Sequence, residues 1–280
     1  MKIHHLNCGS MREIDPAGGA EGQHLAPARA LNHCLLVETE SAGLVLVDSG
    51  FGTADVERGK ETLGQTFLER AQPVMDPAQT ALTQVNKLGY AAGDVRHIVL
   101  THLDLDHTGG LSDFPNATVH LHDAEYRAAM ASSSSHPEHS VRYRPAHWAH
   151  RPHWATYTSP TPNSWFGFDA IELNGLPPEI LLIPLAGHTA GHCAVAVRDA
   201  GRWLLHAGDA YYHHGEVDSH NRWSMPLWEA LESITEIDRP LRIGNVARLR
   251  ELMRDHSDEV EVFSAHDPWA FQHLQQSSVA

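Results

Sequence analysis

The apolar residues of this chain fall mainly into short runs that are bounded by polar residues or glycine. Runs of this length are typical of buried strands. Residues 31–37 and 43–48 form two neighbouring runs, and we expect them to pair as strands of one sheet. Four further runs are also predicted as strands: residues 97–100, 180–185, 203–205 and 260–263.

Two segments carry the apolar spacing of amphipathic helices. The first is predicted to begin with Asp76 as N-cap, Pro77 at its first position and Gln79 completing a capping box, and to end at Gly89. The second helix is predicted from Ile243. Their apolar faces consist of Leu82, Val85 and Leu88 in the first helix and of Ile243, Val246, Leu249 and Leu252 in the second.

The order of these elements indicates the fold class. The chain has two β-rich halves, each followed by helices, which favours two mixed sheets packed face to face with helices on the outer faces, an α/β fold of the αββα sandwich type. With 280 residues, 42% of them hydrophobic and 20% charged, the chain can bury one substantial core. We therefore expect a single domain over residues 1–280.

Charge and cysteine content exclude several classes of protein. The formal net charge is −15, and no Lys/Arg run is present that could follow a phosphate backbone, so nucleic acid is not expected as a partner. No apolar stretch approaches the roughly 20 residues that span a bilayer, and the N-terminus has no long apolar region after its charges. The three cysteines form no C-x-x-C arrangement and suit a reducing compartment. We expect a soluble cytoplasmic protein that does not act at a membrane.

A cluster of candidate metal ligands follows one of the predicted strands. The segment THLDLDHTGG, residues 101–110, contains His102, Asp104, Asp106 and His107. Imidazole nitrogens and carboxylate oxygens bind Zn²⁺, Mn²⁺ or Fe²⁺, and a turn that leaves a strand can direct alternate side chains to one point. Taken alone, the segment is also compatible with a polar turn in which the aspartates cap a helix.

Four other predicted strands end in residues of the same kind. These are Asp48, His188, Asp209 and His266, each placed where an apolar run turns. Five strand ends with metal-ligand chemistry predict a site that can hold two ions.

In these ordered motifs the chain resembles the metallo-β-lactamase superfamily of hydrolases over nearly its whole length. The resemblance implies the metallo-β-lactamase fold and a binuclear site for two divalent cations, most commonly Zn²⁺. The implied ligands are His102 and His188 for the first ion, Asp106, His107 and His266 for the second, and Asp209 as a bridge. Asp48 would organise the ligand loop through hydrogen bonds. Residues 1–9 and 187–192 are most similar to the N-acyl homoserine lactone lactonase branch.

Position 104 departs from the family motif, which usually has histidine two residues after the first ligand. The carboxylate of Asp104 can still bind a metal, but it adds negative charge and favours Mn²⁺ or Fe²⁺ over Zn²⁺. The flavodiiron branch also has a carboxylate here. Alternatively, Asp104 points away and leaves the first site weak, which gives a mononuclear enzyme. Both the identity of the metal and the number of ions therefore stay open.

The resemblance implies a mechanism in which a metal-bound hydroxide attacks a carbonyl carbon. Asp106 is a candidate catalytic residue that orients the hydroxide and carries a proton to the leaving group. Tyr212 matches the position of a catalytic tyrosine in the lactonase branch, and Tyr211 is the alternative for this role. The alternative, which fits the sequence equally well, is that Tyr212 is an aromatic residue that only packs under a lid. His192 is expected to be a structural hydrogen-bonding residue.

Residues 132–167 combine serine, proline, histidine and aromatic residues without a clear period. Long segments of this kind are commonly lids or binding loops. We predict a lid over the substrate, and a contact in a homodimer is the alternative. Three tryptophans, Trp148, Trp154 and Trp165, would favour a small-molecule substrate with an apolar portion.

Three functions are compatible with these features. The first is a metal-dependent hydrolase that opens a lactone or cleaves a related ester bond, with a thioester hydrolase of the glyoxalase II type as its close alternative. The second, suggested by Asp104 alone, is a di-iron redox enzyme that needs an electron-donor partner. The third is a catalytically silent binding protein, which the complete ligand set disfavours because unused ligands packed together would repel one another.

Overall fold

The computed structural model describes residues 1–16, 25–135, 142–158, 161–199 and 201–277. Within these ranges, two mixed β-sheets lie face to face and helices cover both outer faces. The αββα sandwich predicted from the order of elements is confirmed.

The first sheet contains six strands from the first half of the chain, in the order β1-β2-β3-β4-β5-β6. They are β1 (Lys2–Ile14), β2 (Ala28–Glu38), β3 (Leu44–Val47), β4 (Val95–Val99), β5 (Thr118–His122) and β6 (His153–Tyr157). β1, β2 and β3 pair antiparallel, whereas β3, β4, β5 and β6 pair parallel. The predicted pairing of residues 31–37 with 43–48 is confirmed, with Leu35 opposite Val47.

The second sheet has the order β12-β11-β10-β9-β8-β7. Its strands are β7 (Thr161–Trp165), β8 (Phe168–Glu172), β9 (Ile180–Pro184), β10 (Cys193–Asp199), β11 (Arg202–His206) and β12 (Val260–Phe263). The pairs are antiparallel from β7 to β11, and β12 joins β11 in parallel. The four remaining predicted strands thus match β4, β9, β11 and β12.

Eight α-helices complete the described fold. They are α1 (Thr53–Thr62), α2 (Gln65–Ala71), α3 (Ala81–Lys87), α4 (Leu105–Thr108), α5 (Asp123–Ser135), α6 (Pro226–Thr235), α7 (Arg239–Asp255) and α8 (Pro268–Ser277). None of the helices in the described ranges has the length and apolar character that a membrane span requires.

Alternating side chains of the strands build the layers. In β2, Leu35 and Val37 belong to the core between the sheets, together with Val195 of β10, whereas Leu36 belongs to the core under the helices of the first sheet. This alternation follows from the two-residue period of a strand. Because both faces are covered, the strands are apolar on both sides.

The helix predicted from Asp76 is shorter than expected. Asp76 caps a 3₁₀ turn, Pro77–Gln79, and α3 begins only after Thr80, whose hydroxyl accepts the backbone N–H of Thr83. Gln79 completes no capping box, because its side-chain oxygen accepts the backbone N–H of Ser10. A tertiary contact therefore replaces the local cap.

The second predicted helix starts earlier than the apolar stripe indicated. α7 begins after Asp238, whose carboxylate accepts the backbone N–H of Leu241. Three residues of the stripe are buried, Val246, Leu249 and Leu252, but Ile243 is exposed. The helix packs on the second sheet through the later part of the stripe.

The described part of residues 132–167 contains two β-strands, which the sequence analysis did not predict. Residues 153–157 form β6 at the edge of the first sheet and residues 161–165 form β7 at the edge of the second. Trp148 and Trp154 pack against the core of the first sheet, and Trp165 is buried in the core of the second. Packing in or against the two cores covers much of the apolar surface of these tryptophans. Residues 136–141 and 159–160 of the predicted lid lie outside the described residues.

Candidate metal centre

The loops after five strands place the predicted ligands at one edge of the sandwich. Asp48 follows β3, and the segment that contains His102 follows β4. His188 follows β9, Asp209 follows β11 and His266 follows β12. All seven predicted ligands lie in two adjoining groups, and within each group the ligand atoms are within 4.8 Å of one another. The first group is His102, Asp104, His188 and Asp209, and the second is Asp106, His107 and His266.

Asp104 points into the first group. Its Oδ2 lies 3.4 Å from Nε2 of His102 and 3.0 Å from Nε2 of His188. The alternative in which Asp104 turns away from the ligands is therefore not what the structure shows. Burial alone would raise the pKa of Asp104, but the Arg142 guanidinium and the His102 imidazole hold it well below its usual value.

Asp209 approaches histidines of both groups. Its Oδ2 lies 3.5 Å from Nε2 of His188 in the first group and 3.2 Å from Nε2 of His266 in the second. Its Oδ1 lies 3.3 Å from Nε2 of His107. A carboxylate in this place can bridge two cations.

Several buried atoms that face these groups have no hydrogen-bond partner among the described residues. They are Nε2 of His102, Nε2 of His107 and Oδ1 of Asp209. Buried polar atoms without partners are costly, and their convergence indicates that a cation belongs there. The donor set of imidazole nitrogens and carboxylate oxygens fits a divalent transition metal such as Zn²⁺.

Asp48 sets the orientation of two of the histidines. Its Oδ2 accepts hydrogen bonds from Nδ1 of His107 and from the hydroxyl of Thr101, at 2.8 and 2.7 Å. Since the Thr101 hydroxyl donates to Asp48, its oxygen accepts from Nδ1 of His102, 2.9 Å away. Both histidines thus carry their proton on Nδ1 and direct a free Nε2 toward the ligand groups. Burial opposes ionisation of Asp48, but the His107 imidazole lowers its pKa to about 2.

His192 uses both ring nitrogens for structure. Its Nδ1 lies 3.0 Å from the carbonyl oxygen of Leu185, and its Nε2 accepts the backbone N–H of Asp209. It therefore holds the backbone of Asp209 in place and has no nitrogen left for a metal.

A third group of possible ligands consists of His213, His214 and Asp267. Asp267 Oδ2 already accepts hydrogen bonds from the backbone N–H and from Nδ1 of His214, and Oδ1 accepts from the first turn of α8. These contacts describe a helix cap, so we assign no metal to this group.

Tyr212, and not Tyr211, faces the ligands. The Tyr212 ring lies 6.3 Å from the ring of His188 and 5.3 Å from that of His266, whereas Tyr211 is buried in the core of the second sheet. The Tyr212 hydroxyl lies 3.1 Å from Oγ1 of Thr235. Burial and the nearby Asp209 carboxylate raise the pKa of Tyr212 well above its usual value, so the phenol keeps its proton.

Arg142 is a neighbour of the site that sequence reasoning missed. Its Nη1 donates to both oxygens of Asp104, at 3.0 and 2.9 Å, and its Nη2 donates to the backbone oxygen of Thr235. No spacing or period in the sequence connects residue 142 with residue 104, so no sequence signal was present for this contact.

A buried carboxyl cluster supports the chain that follows Asp209. Glu216 accepts the backbone N–H groups of Tyr212 and His213 on one oxygen. Burial and the neighbouring Glu216 carboxylate raise the pKa of Glu232 far above its ordinary value, although the Arg242 guanidinium lies 3.1 Å from it. We infer that Glu232 is neutral in the folded protein at neutral pH.

Replacing Glu232 with glutamine should therefore make stability less dependent on pH. In the wild type, the unfolded chain releases this proton near the ordinary glutamate pKa while the folded chain retains it, so unfolding becomes more favourable as pH rises. Between pH 6 and 8, we expect the wild type to lose at least about 1 kcal/mol more of its free energy of unfolding than E232Q. Denaturant titrations at both pH values measure this difference. The exposed Glu229 on the same helix provides the control E229Q, and equal pH slopes for E232Q and wild type would contradict a neutral Glu232.

The sequence profile of the family described as the metallo-beta-lactamase superfamily matches residues 29–258 of this chain. The chain is also 41% identical over 275 residues to a probable metallo-hydrolase of Mycobacterium tuberculosis, covering 97% of this chain and 82% of that protein.

Two similar proteins are lactone hydrolases. The chain is 36% identical over 110 residues to an N-acyl homoserine lactonase of Bacillus cereus, covering 38% of this chain and 43% of that protein. A solved N-acyl homoserine lactone hydrolase, with the product N-hexanoyl-L-homoserine bound at its catalytic metal center, superimposes with a TM-score of 0.69. The superposition covers 97% of this chain and 95% of that chain at 21% identity, which shows a common fold.

Proposed function

This chain belongs to the metallo-beta-lactamase superfamily, and we propose that it is a hydrolase that opens a lactone or cleaves a related ester bond with two divalent cations, Zn²⁺ in preference to others. The observation that carries this proposal is the position of Asp209 and Tyr212. The Asp209 carboxylate lies between the two ligand groups, and the Tyr212 ring contacts one histidine of each. The partial sequence similarity to an N-acyl homoserine lactonase supports a lactone as substrate.

Each of the two ligand groups would bind one cation. His102, Asp104 and His188 would bind the first ion, Asp106, His107 and His266 the second, and Asp209 both. When bound, a pair of divalent cations lowers the pKa of water towards neutrality and polarises a carbonyl group.

Asp106 is the residue that we assign to proton transfer. Its Oδ2 lies 3.7 Å from Nε2 of His266, and its side chain is partly exposed, in contrast to the buried histidines. From this position the carboxylate can accept a proton from the attacking water and return it to the leaving oxygen.

Tyr212 is placed to donate a hydrogen bond to the substrate. The Thr235 hydroxyl donates to the backbone oxygen of Leu231, so the Tyr212 hydroxyl is the donor in its contact with Thr235. Rotation of the phenol O–H would redirect this proton to the carbonyl oxygen of a substrate. Trp228 and Met225 lie in the same apolar cluster as Tyr212, and we propose that the apolar portion of the substrate lies towards this side.

Replacing Tyr212 with phenylalanine should lower kcat by about tenfold and leave the metal content unchanged, because one donor is lost but no ligand. Steady-state kinetics and metal analysis of the same preparation test this expectation. The matched control is Tyr211→Phe, which changes a phenol in the core of the second sheet. Unchanged kcat in Y212F would remove Tyr212 from the mechanism.

The proposed function is tested by metal analysis of protein purified without added ions, followed by a panel of lactones, aryl esters, thioesters and β-lactams. We expect zinc in the protein and the highest kcat/KM on a lactone or ester. A preference for thioesters would identify the glyoxalase II type of activity instead. Bound iron with reversible redox spectra and no hydrolysis would favour the redox enzyme that Asp104 suggested.

A further inference from the structure

Arg142 places a buried positive charge beside two proposed metal ligands, Asp104 and His188. Its Nη1 lies 2.9 Å from Asp104 Oδ2 and 3.3 Å from Nε2 of His188. Only 12% of the Arg142 side chain and 14% of the Asp104 side chain are exposed, so water screens this pair weakly.

The guanidinium is held from two sides. Nη1 binds both carboxylate oxygens of Asp104 and so fixes the plane of that carboxylate, while Oδ2 stays close to His102 and His188. Nη2 donates to the backbone oxygen of Thr235, the last residue of α6. Carbonyl groups at the end of a helix carry partial negative charge, which stabilises a cation there.

The charges of the site explain why an arginine accompanies an aspartate at position 104. The ligand set includes three carboxylates, those of Asp104, Asp106 and Asp209, and Arg142 contributes one positive charge. Three negative charges and one positive charge give a net charge of minus two. A neutral histidine at position 104, with no arginine beside it, would give the same net charge.

We propose that Asp104 and Arg142 act as one unit that replaces the histidine usual at this place of the family motif, with Arg142 as a positioning residue that balances the charge of Asp104. This inference rests on the metal binding of the proposed function. It has a specific consequence: histidine at position 104 is compatible with the site only when Arg142 is absent, because the guanidinium would otherwise be an unpaired buried cation beside a bound metal.

A double-mutant cycle on zinc affinity tests the proposal with four proteins: wild type, R142Q, D104H and D104H/R142Q. Competition with a chromophoric chelator gives the affinity of each. We expect D104H to bind the weaker zinc ion about tenfold less tightly than the wild type, although it restores the usual ligand type. The zinc affinity of the double variant should return to within about threefold of the wild-type affinity. The matched control is Arg144→Gln, because Arg144 donates to the backbone oxygens of Thr62 and Glu61 and contacts no proposed ligand.

Unfolding of the four proteins in the presence of a chelator gives a second readout that needs no metal. R142Q and D104H should each lower the unfolding midpoint by about 5 °C, because each leaves a buried charge without its partner. The unfolding midpoint of the double variant should fall by less than the sum of the two single decreases.

Failure of the proposed function can be distinguished from failure of the proposed pairing of Asp104 with Arg142. If the wild type binds no divalent cation, the proposed function is wrong, and the proposed unit has no metal to bind. If the wild type binds zinc and D104H alone binds it as tightly as the wild type, or R142Q does not rescue D104H, the pairing of Asp104 with Arg142 is refuted while the hydrolase proposal stands.

Discussion

Replacing Asp209 with asparagine should reduce hydrolysis by at least about 10³-fold. Asp209 approaches His188 in one ligand group and both His107 and His266 in the other. Asparagine preserves the shape of the side chain but carries no negative charge and only one oxygen. It therefore cannot serve two cations at once, and the bound metal should fall from about two ions per chain to about one.

Metal content and rate should be measured on the same preparation of D209N after gel filtration. The exposed Asp258 provides the control Asp258→Asn, which should keep the wild-type rate and metal content. Far-ultraviolet circular dichroism separates a lost site from a lost fold. A D209N protein that retained full metal and a rate within about tenfold of the wild type would show that Asp209 does not join the two groups.

The positions of the predicted ligands followed from the sequence because they depend on strand ends. Short apolar runs locate the strands, and a His or Asp directly after a run must lie where that strand leaves the sheet. His188 and Asp209 are far apart in the sequence, yet both follow strands of the second sheet, so their meeting was predictable. The layered fold was predictable from the order of elements, because two β-rich halves, each followed by helices, bury their apolar faces best as two packed sheets with helices outside.

The surroundings of the ligands were not predictable, because they depend on contacts between distant segments. Arg142 reaches Asp104 from a segment that has no periodicity, and this segment is held in place by His147. The ring nitrogens of His147 contact a carboxylate oxygen of Asp55 and the hydroxyl of Thr108, at 3.0 and 2.9 Å. A sequence pattern contains no information about such a set of tertiary contacts.

The two edge strands within residues 132–167 were not predicted for a related reason. Serine, proline and histidine in residues 132–167 indicated a loop, but β6 and β7 gain hydrogen bonds from neighbouring strands that already exist in the sheets. Edge strands need little propensity of their own when the neighbouring strand supplies the pairing partner. Trp154 then packs against the core of the first sheet, and Trp165 is buried in the core of the second.

Asp48 has a backbone conformation that makes asparagine a precise test of its charge. Its φ is 55°, in the left-handed region that asparagine tolerates better than most residues. The Thr101 backbone N–H donates to Oδ1 of Asp48, so the single oxygen of an asparagine would have to take this position. The amide nitrogen would then replace Oδ2 and present hydrogens to the Thr101 hydroxyl and to Nδ1 of His107.

We expect Asp48→Asn to lower zinc affinity by about 100-fold and hydrolysis with it, because the substitution reverses the tautomer of His107. Nδ1 of His107 would become an acceptor, the proton would move to Nε2, and a protonated Nε2 cannot bind a cation. Chelator competition measures the affinity, and ¹⁵N chemical shifts of the histidine rings at alkaline pH identify the tautomer. In the companion variant Thr101→Val, the bond between Asp48 and His107 remains, whereas the hydroxyl contacts to Asp48 and to His102 are lost, so zinc affinity should fall less. Wild-type zinc affinity in D48N, or a proton still on Nδ1 of His107, would show that Asp48 does not control the ligand tautomer.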